Sequence, residues 1–109
     1  MRLDQLIYDD SGLIPAVIQD EETKKVLMVG YMNAESLGLT LNSKKVHFFS
    51  RSRKALWQKG ETSGNYLLVR RVLVDCDGDA LLVVARPTGP ICHTGEIGCF
   101  ENFEPLDLN

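Results

Sequence analysis

The chain has 109 residues, of which 44 % are hydrophobic and 25 % charged, the proportions of an ordinary soluble domain, which excludes a disordered tail, a collagen-like repeat and a disulfide-dense scaffold. At this length roughly 60–70 % of the unfolded chain's surface can be buried, enough for one modest core and a single domain over residues 1–109. A formal charge of −3 and an odd count of three cysteines weigh against a general nucleic-acid binder and a fully paired disulfide set, and favour a reducing compartment or a metal.

The opening stretch MRLDQLIYDD places acids among its apolar residues and has no secretory hydrophobic region. The longest apolar stretches, Val26–Gly30 and Ala80–Ala85, are strand-sized and far below the ~20 residues of a membrane-spanning helix. The expectation is a cytoplasmic protein without membrane or nucleic-acid partners. Ile14–Gln19 and Lys25–Met32 are rich in Val, Ile, Leu and Met around the acidic turn Asp20–Glu22, which predicts an opening hairpin. Asn33 suits a helix N-cap, Glu35 falls in the first turn, and Ala34, Leu37 and Leu41 share a face, so one short helix follows, ending near Asn42-Ser43. Val46–Ser50 is a third strand, Tyr66–Asp75 the longest, and Ala80–Arg86 its partner across Asp77-Gly78. Beyond Pro87 the glycines at 89, 95 and 98 read as loop. About five strands and one helix make an α+β domain, a small and mostly antiparallel sheet.

Three sets of residues can bear chemistry. Cys76, Cys92 and Cys99 offer soft thiolates, and three such ligands with one open position suit a catalytic zinc ion. Buried cysteines used merely as small hydrophobes are the alternative, most of all for Cys76, placed in a strand. Asp75, Asp77 and Asp79 alternate around Gly78 and present hard oxygen ligands for Mg²⁺, or a solvated polar turn. The stretch Lys44–Lys59 holds six basic residues and no acid. In it Ser50-Arg51-Ser52-Arg53-Lys54 interleaves hydroxyls with cations, and Trp57 offers a stacking face. With Lys59, Glu61, Ser63 and Asn65 close behind, an anion pocket is one reading and a solvated basic strand the other. His93, beside Cys92, is placed to ligate the metal or to act as general acid and base. His47, alternating with Val46 and Phe48, reads as structural.

Ser50–Lys54 with Leu56-Trp57, Lys59-Gly60-Glu61 and Ser63-Gly64-Asn65, then Asp75–Ala80, then Cys92–Gly95 with Cys99-Phe100, resemble in order the motifs of the phosphoribosyl-AMP cyclohydrolase family. Met28–Asn33 resembles its early strand-to-helix segment. Gly30 departs from a common Ala, Phe48-Phe49 from a frequent Tyr-Trp, and Glu96-Ile97-Gly98 from a loop with Arg before Ser. The resemblance implies hydrolysis of the adenine N1–C6 bond of 1-(5-phosphoribosyl)-AMP, the third step of histidine biosynthesis, by a stand-alone enzyme. It implies an obligate homodimer in which Zn²⁺ is bound by Cys76 of one subunit and by Cys92 and Cys99 of the other, with Mg²⁺ on Asp75, Asp77 and Asp79. We expect a zinc-activated water to attack C6 while His93 moves the proton. Arg51, Ser52, Arg53, Lys54, Trp57, Lys59, Glu61, Ser63 and Asn65 are expected to bind the nucleotide and its two phosphoribosyl groups. A small zinc-stabilised RNA- or nucleotide-binding module, with Trp57, Phe48 and Phe49 as stacking surfaces, is the rival reading. A structural metal dimer is another.

Overall fold

Alternating apolar residues pleat Ile14–Asp20 (β1) so that Ile14, Ala16 and Ile18 are buried and Pro15, Val17 and Gln19 face the other side. The computed structural model describes residues 1–101 and 104–108. After a single 3₁₀ turn at Leu3–Gln5, β1 is followed by β2 (Val26–Met32), α1 (Ala34–Ser43), β3 (His47–Ser50), β4 (Ala55–Gln58), β5 (Leu67–Val74) and β6 (Leu81–Pro87). The opening hairpin, the short helix and the Asp77-Gly78 hairpin fall where the sequence predicts them. Among the described residues no helix is long and apolar enough to cross a membrane.

Asn33 caps α1: its Oδ1 accepts from the Ser36 N–H at 2.8 Å, and Ser36 Oγ accepts from the Asn33 N–H at 2.9 Å. The buried face of the helix is Ser36, Leu37 and Thr40, whereas Ala34 is exposed. Thr40 explains the difference from the expected apolar face. Its hydroxyl donates to Ser36 O at 2.8 Å and accepts from the His47 N–H at 2.9 Å, which ties the helix to β3. A buried hydroxyl with both partners satisfied replaces an apolar contact. His47 Nδ1 lies 2.8 Å from Lys45 O, a structural role as expected.

Two further features depart from the expected layout. The main sheet has the order β2-β1-β6-β5, and β1 runs parallel to β6 between two antiparallel pairs. The sheet is therefore mixed, because the excursion from β2 to β5 carries the chain across before β6 returns beside β1. A sixth strand, β4, pairs with β3 in a separate two-stranded ribbon, Phe48 opposite Trp57 and Ser50 opposite Ala55. Four residues beside a cationic turn give too short an alternation to read as a strand.

Helix α1 and the β3–β4 ribbon cover one face of the main sheet, enclosing Ile14, Met32, Leu37, Val46, Phe48 and Val83. Phe48 is buried and rests directly on the backbone of β2: a Cβ at Gly30 would lie 2.5 Å from its ring. The absent methyl at 30 and the aromatic ring at 48 are one packing solution. Gly30→Ala is expected to cost about 1–3 kcal/mol by overpacking, read by chemical denaturation; an unchanged midpoint would show that the ring has room to retreat. The opposite face of the sheet is covered by neither α1 nor the ribbon. In register across it lie Val29, Val17, Leu82 and Leu73, with Val29 46 % and Leu73 41 % exposed. An open sheet face ordinarily carries polar residues at these positions.

Candidate active site

The basic stretch becomes the β3–β4 hairpin. Its turn, Arg51–Lys54, closes with Lys54 in the left-handed region (φ 52°) and with the Arg53 N–H donating to Ser50 Oγ at 3.2 Å. The chain then folds back through Gly60–Asn65, where the Gly64 N–H reaches Gly60 O at 2.8 Å. The third wall is the loop after β6. There the Cys92 N–H donates to Glu96 O and the Gly95 N–H to Cys92 O, a tight reversal at Gly95, whose φ of 90° disfavours any side chain. The Cys99 N–H is bonded to Leu27 O at 2.6 Å, fastening the loop to β2.

These three segments surround a cavity of about 400 Å³ lined by Arg53, Trp57, Lys59, Glu61, Ser63, Asn65, Cys92 and His93, among others, a volume suited to a small molecule. Segments some forty residues apart in sequence, such as those of Arg53 and His93, thus line one cavity. A second cavity of about 540 Å³ shares Trp57 with the first and has Arg51 and Ser52 in its wall. Lys54 lines neither cavity. Gln58, Pro90 and Ile91 are lining residues that the sequence did not single out; only adjacency to the motifs could have suggested them. Phe48 belongs to the core, with its ring 5.2 Å from that of Trp57, and so is no free stacking surface for a nucleic acid.

Cys92 and Cys99 lie close enough for each thiol to perturb the other's ionisation. Thr94 Oγ1 donates to Cys92 Sγ at 3.2 Å. That bond, helped by Cys99 and the Lys59 ammonium, holds the Cys92 thiol below its ordinary pKa. Burial, with the neighbouring Cys92, pushes the Cys99 thiol up. Among the described residues no third His, Cys, Asp or Glu joins these two thiols in a close group. Cys76 is exposed in the β5–β6 turn rather than set in a strand; the core-packing alternative for it therefore falls away. It also sits at the opposite edge of the sheet from Leu27, where Cys99 is fastened. Three strand-to-strand steps separate the two edges, on the order of 14 Å, too far for one ion.

Asp75, Asp77 and Asp79 do converge, with carboxylate oxygens within 4.8 Å of one another and all three side chains exposed. The N–H groups of Asp79 and Ala80 donate to Asp75 Oδ1 at 3.0 and 3.2 Å. Against a desolvation that works the other way, these bonds hold the Asp75 carboxyl below its usual value. Hydrogen bonding with Asp77 and Asp75 pushes Asp79 up to about 6, the mark of carboxylates crowded enough to share a proton.

Residues 28–101 match the family model described as phosphoribosyl-AMP cyclohydrolase. The chain belongs to that family. It is 56 % identical over 95 residues to the phosphoribosyl-AMP cyclohydrolase of Lacticaseibacillus paracasei (87 % of this chain, 86 % of that one). Against the protein of the same name from Pelodictyon phaeoclathratiforme it is 52 % identical over 98 residues (90 % and 72 %). It is also 55 % identical over 97 residues to the histidine biosynthesis bifunctional protein HisIE of Bacillus subtilis, covering 89 % of this chain and 46 % of that one. The chain spans about half the length of such bifunctional relatives. The family match covers all three walls of the first cavity and every cysteine.

Proposed function

We propose that this cyclohydrolase-family chain hydrolyses the adenine N1–C6 bond of 1-(5-phosphoribosyl)-AMP, opening the six-membered ring to the formimino-aminoimidazole carboxamide ribotide in histidine biosynthesis. The observation that carries the proposal is the convergence of the Ser50–Lys59 motif, the Gly60–Asn65 run and the Cys92-His93 loop on one cavity. Substitution at N1 leaves the purine cationic and C6 electrophilic. Glu61 in the wall complements that charge, and Trp57 offers a ring face to the base. Arg53 and Lys59 supply donors for phosphate oxygens.

The donor set of Cys92 and Cys99 fits zinc: two adjacent thiols, one already eased toward the thiolate by Thr94. Held by these thiols, zinc would supply a water-derived nucleophile at neutral pH by lowering the pKa of a bound water. His93, exposed beside Cys92 in the cavity wall, takes up and returns the proton at its imidazole. Asp75, Asp77 and Asp79 fit magnesium, since crowded carboxylates lose their mutual repulsion when a divalent cation joins them.

The working unit is a homodimer. Two observations support it: Cys76 lies at the far sheet edge from the thiols it would complete, and the uncovered face between those edges is apolar through Val17, Val29, Leu73 and Leu82. Pairing of two such faces lets one copy's Cys76 reach the other's Cys92 and Cys99. An absorbance assay for purine-ring opening tests the proposal, with zinc content and particle mass measured on the same sample. Ring opening by a zinc-containing dimer, lost on chelation, is expected; folded, zinc-loaded protein that leaves the ring closed would overturn it.

A further inference from the structure

The Ser50–Lys54 turn sends its two arginines to different places: Arg53 lines the cavity that holds Cys92 and His93, whereas Arg51 lines the second cavity, and Trp57 borders both. Arg51 is laid over the ring of Tyr31, its guanidinium carbon 4.1 Å from the ring centroid. No acidic side chain lines that second cavity, and among the described residues no carboxylate forms an ion pair with Arg51. A guanidinium without a carboxylate partner, placed over an aromatic ring in a cavity that also has Ser50 and Ser52 in its wall, has the chemistry of a phosphate site. Stacking also spares a flexible side chain part of the rotamer entropy it would lose on binding.

Resting on the function proposed above, we propose that the two cavities are the two phosphate subsites of one substrate, divided by Trp57, with Arg53 serving one phosphoribosyl arm and the Tyr31-backed Arg51 the other. The reacting carbon adjoins N1, so the N1-linked arm shares the cavity of Cys92 and His93 with Arg53. The N9-linked arm, which is the AMP portion, passes Trp57 and ends on Arg51. Each phosphate carries a charge near −2, and housing them in separate cavities with separate cations keeps their repulsion low. Tyr31 is a positioning residue, acting through Arg51.

AMP, which has only the N9-linked arm, is the probe, titrated calorimetrically into the metal-loaded full-length protein. Arg51→Ala is expected to weaken AMP binding about 10- to 100-fold, the loss of a charge-assisted phosphate contact. Arg53→Ala is expected to leave AMP binding within about two-fold while raising KM for phosphoribosyl-AMP about 10-fold or more. Tyr31→Leu should weaken AMP binding about 2- to 5-fold, and Tyr31→Phe, which keeps the ring, should restore it. Both arginines are exposed, so circular dichroism of the variants should match the wild type. AMP affinity that follows Arg53, that falls equally in both variants, or that is undetectable in the wild type overturns the partition. Turnover separates the two levels: if AMP binding follows Arg51 but phosphoribosyl-AMP stays intact, the proposed reaction fails and the phosphate subsite stands.

Discussion

Alanine at Cys92 or at Cys99 is expected to lower ring-opening turnover on the order of 10³-fold, the equivalent of the several kcal/mol that a catalytic metal contributes. The two thiols are neighbours in the loop after β6, and removing either leaves two of the three thiols of the proposed zinc site. Neither side chain belongs to the apolar core, so the fold should survive and zinc should be lost stoichiometrically with activity. Metal analysis, thermal denaturation and the ring-opening assay on one preparation check all three expectations. A folded variant without zinc that retains wild-type turnover would refute the assignment. Thr94 gives an internal comparison: its hydroxyl donates to Cys92 Sγ without being a ligand, so its removal should weaken metal binding and spare the reaction at saturating zinc.

The second large effect is a restoration. Cys76→Ala and Cys92→Ala variants should each be inactive as homodimers, since every site then lacks a thiol. A heterodimer of the two, isolated with different tags on each chain, should recover about half the wild-type turnover per dimer, because one of its two sites receives all its ligands. The geometry demands this outcome if Cys76 is a ligand at all. In one chain Cys76 lies on the β5–β6 turn while Cys99 is fastened to Leu27 of β2, at opposite edges of the sheet. A two-fold pairing of the exposed apolar faces can set one edge of a sheet above the opposite edge of its partner. An inactive heterodimer would place Cys76 outside the metal site.

Local structure was legible because its causes are local. Asn33 caps α1, Asp77-Gly78 turns the β5–β6 hairpin, and the alternation of Ile14–Asp20 pleats β1, each through interactions spanning a few residues. Where the cause was distant, sequence inspection missed it. Nothing within Ala55–Gln58 marks it as a strand, since its partner is His47–Ser50 and its stability comes from Trp57 packing on Phe48. Thr40 is buried in place of an apolar residue because β3 needs a hydrogen-bond partner there. The parallel β1–β6 pairing leaves no local signature either.

The candidate site divides along the same line. The sequence alone determined the kinds of chemistry available, namely three thiols, three alternating carboxylates and a cationic, hydroxyl-rich turn, because side-chain chemistry is a property of the residue. Only the tertiary structure decided which of these groups meet. It brought Cys92 and His93 to the same cavity as Arg53 and Lys59, set Arg51 over Tyr31 in a second cavity that shares Trp57, and left Cys76 a sheet's width away from the other two thiols. Proximity of that kind depends on strand order and on which face of each strand is buried, and both are settled by how the whole chain packs.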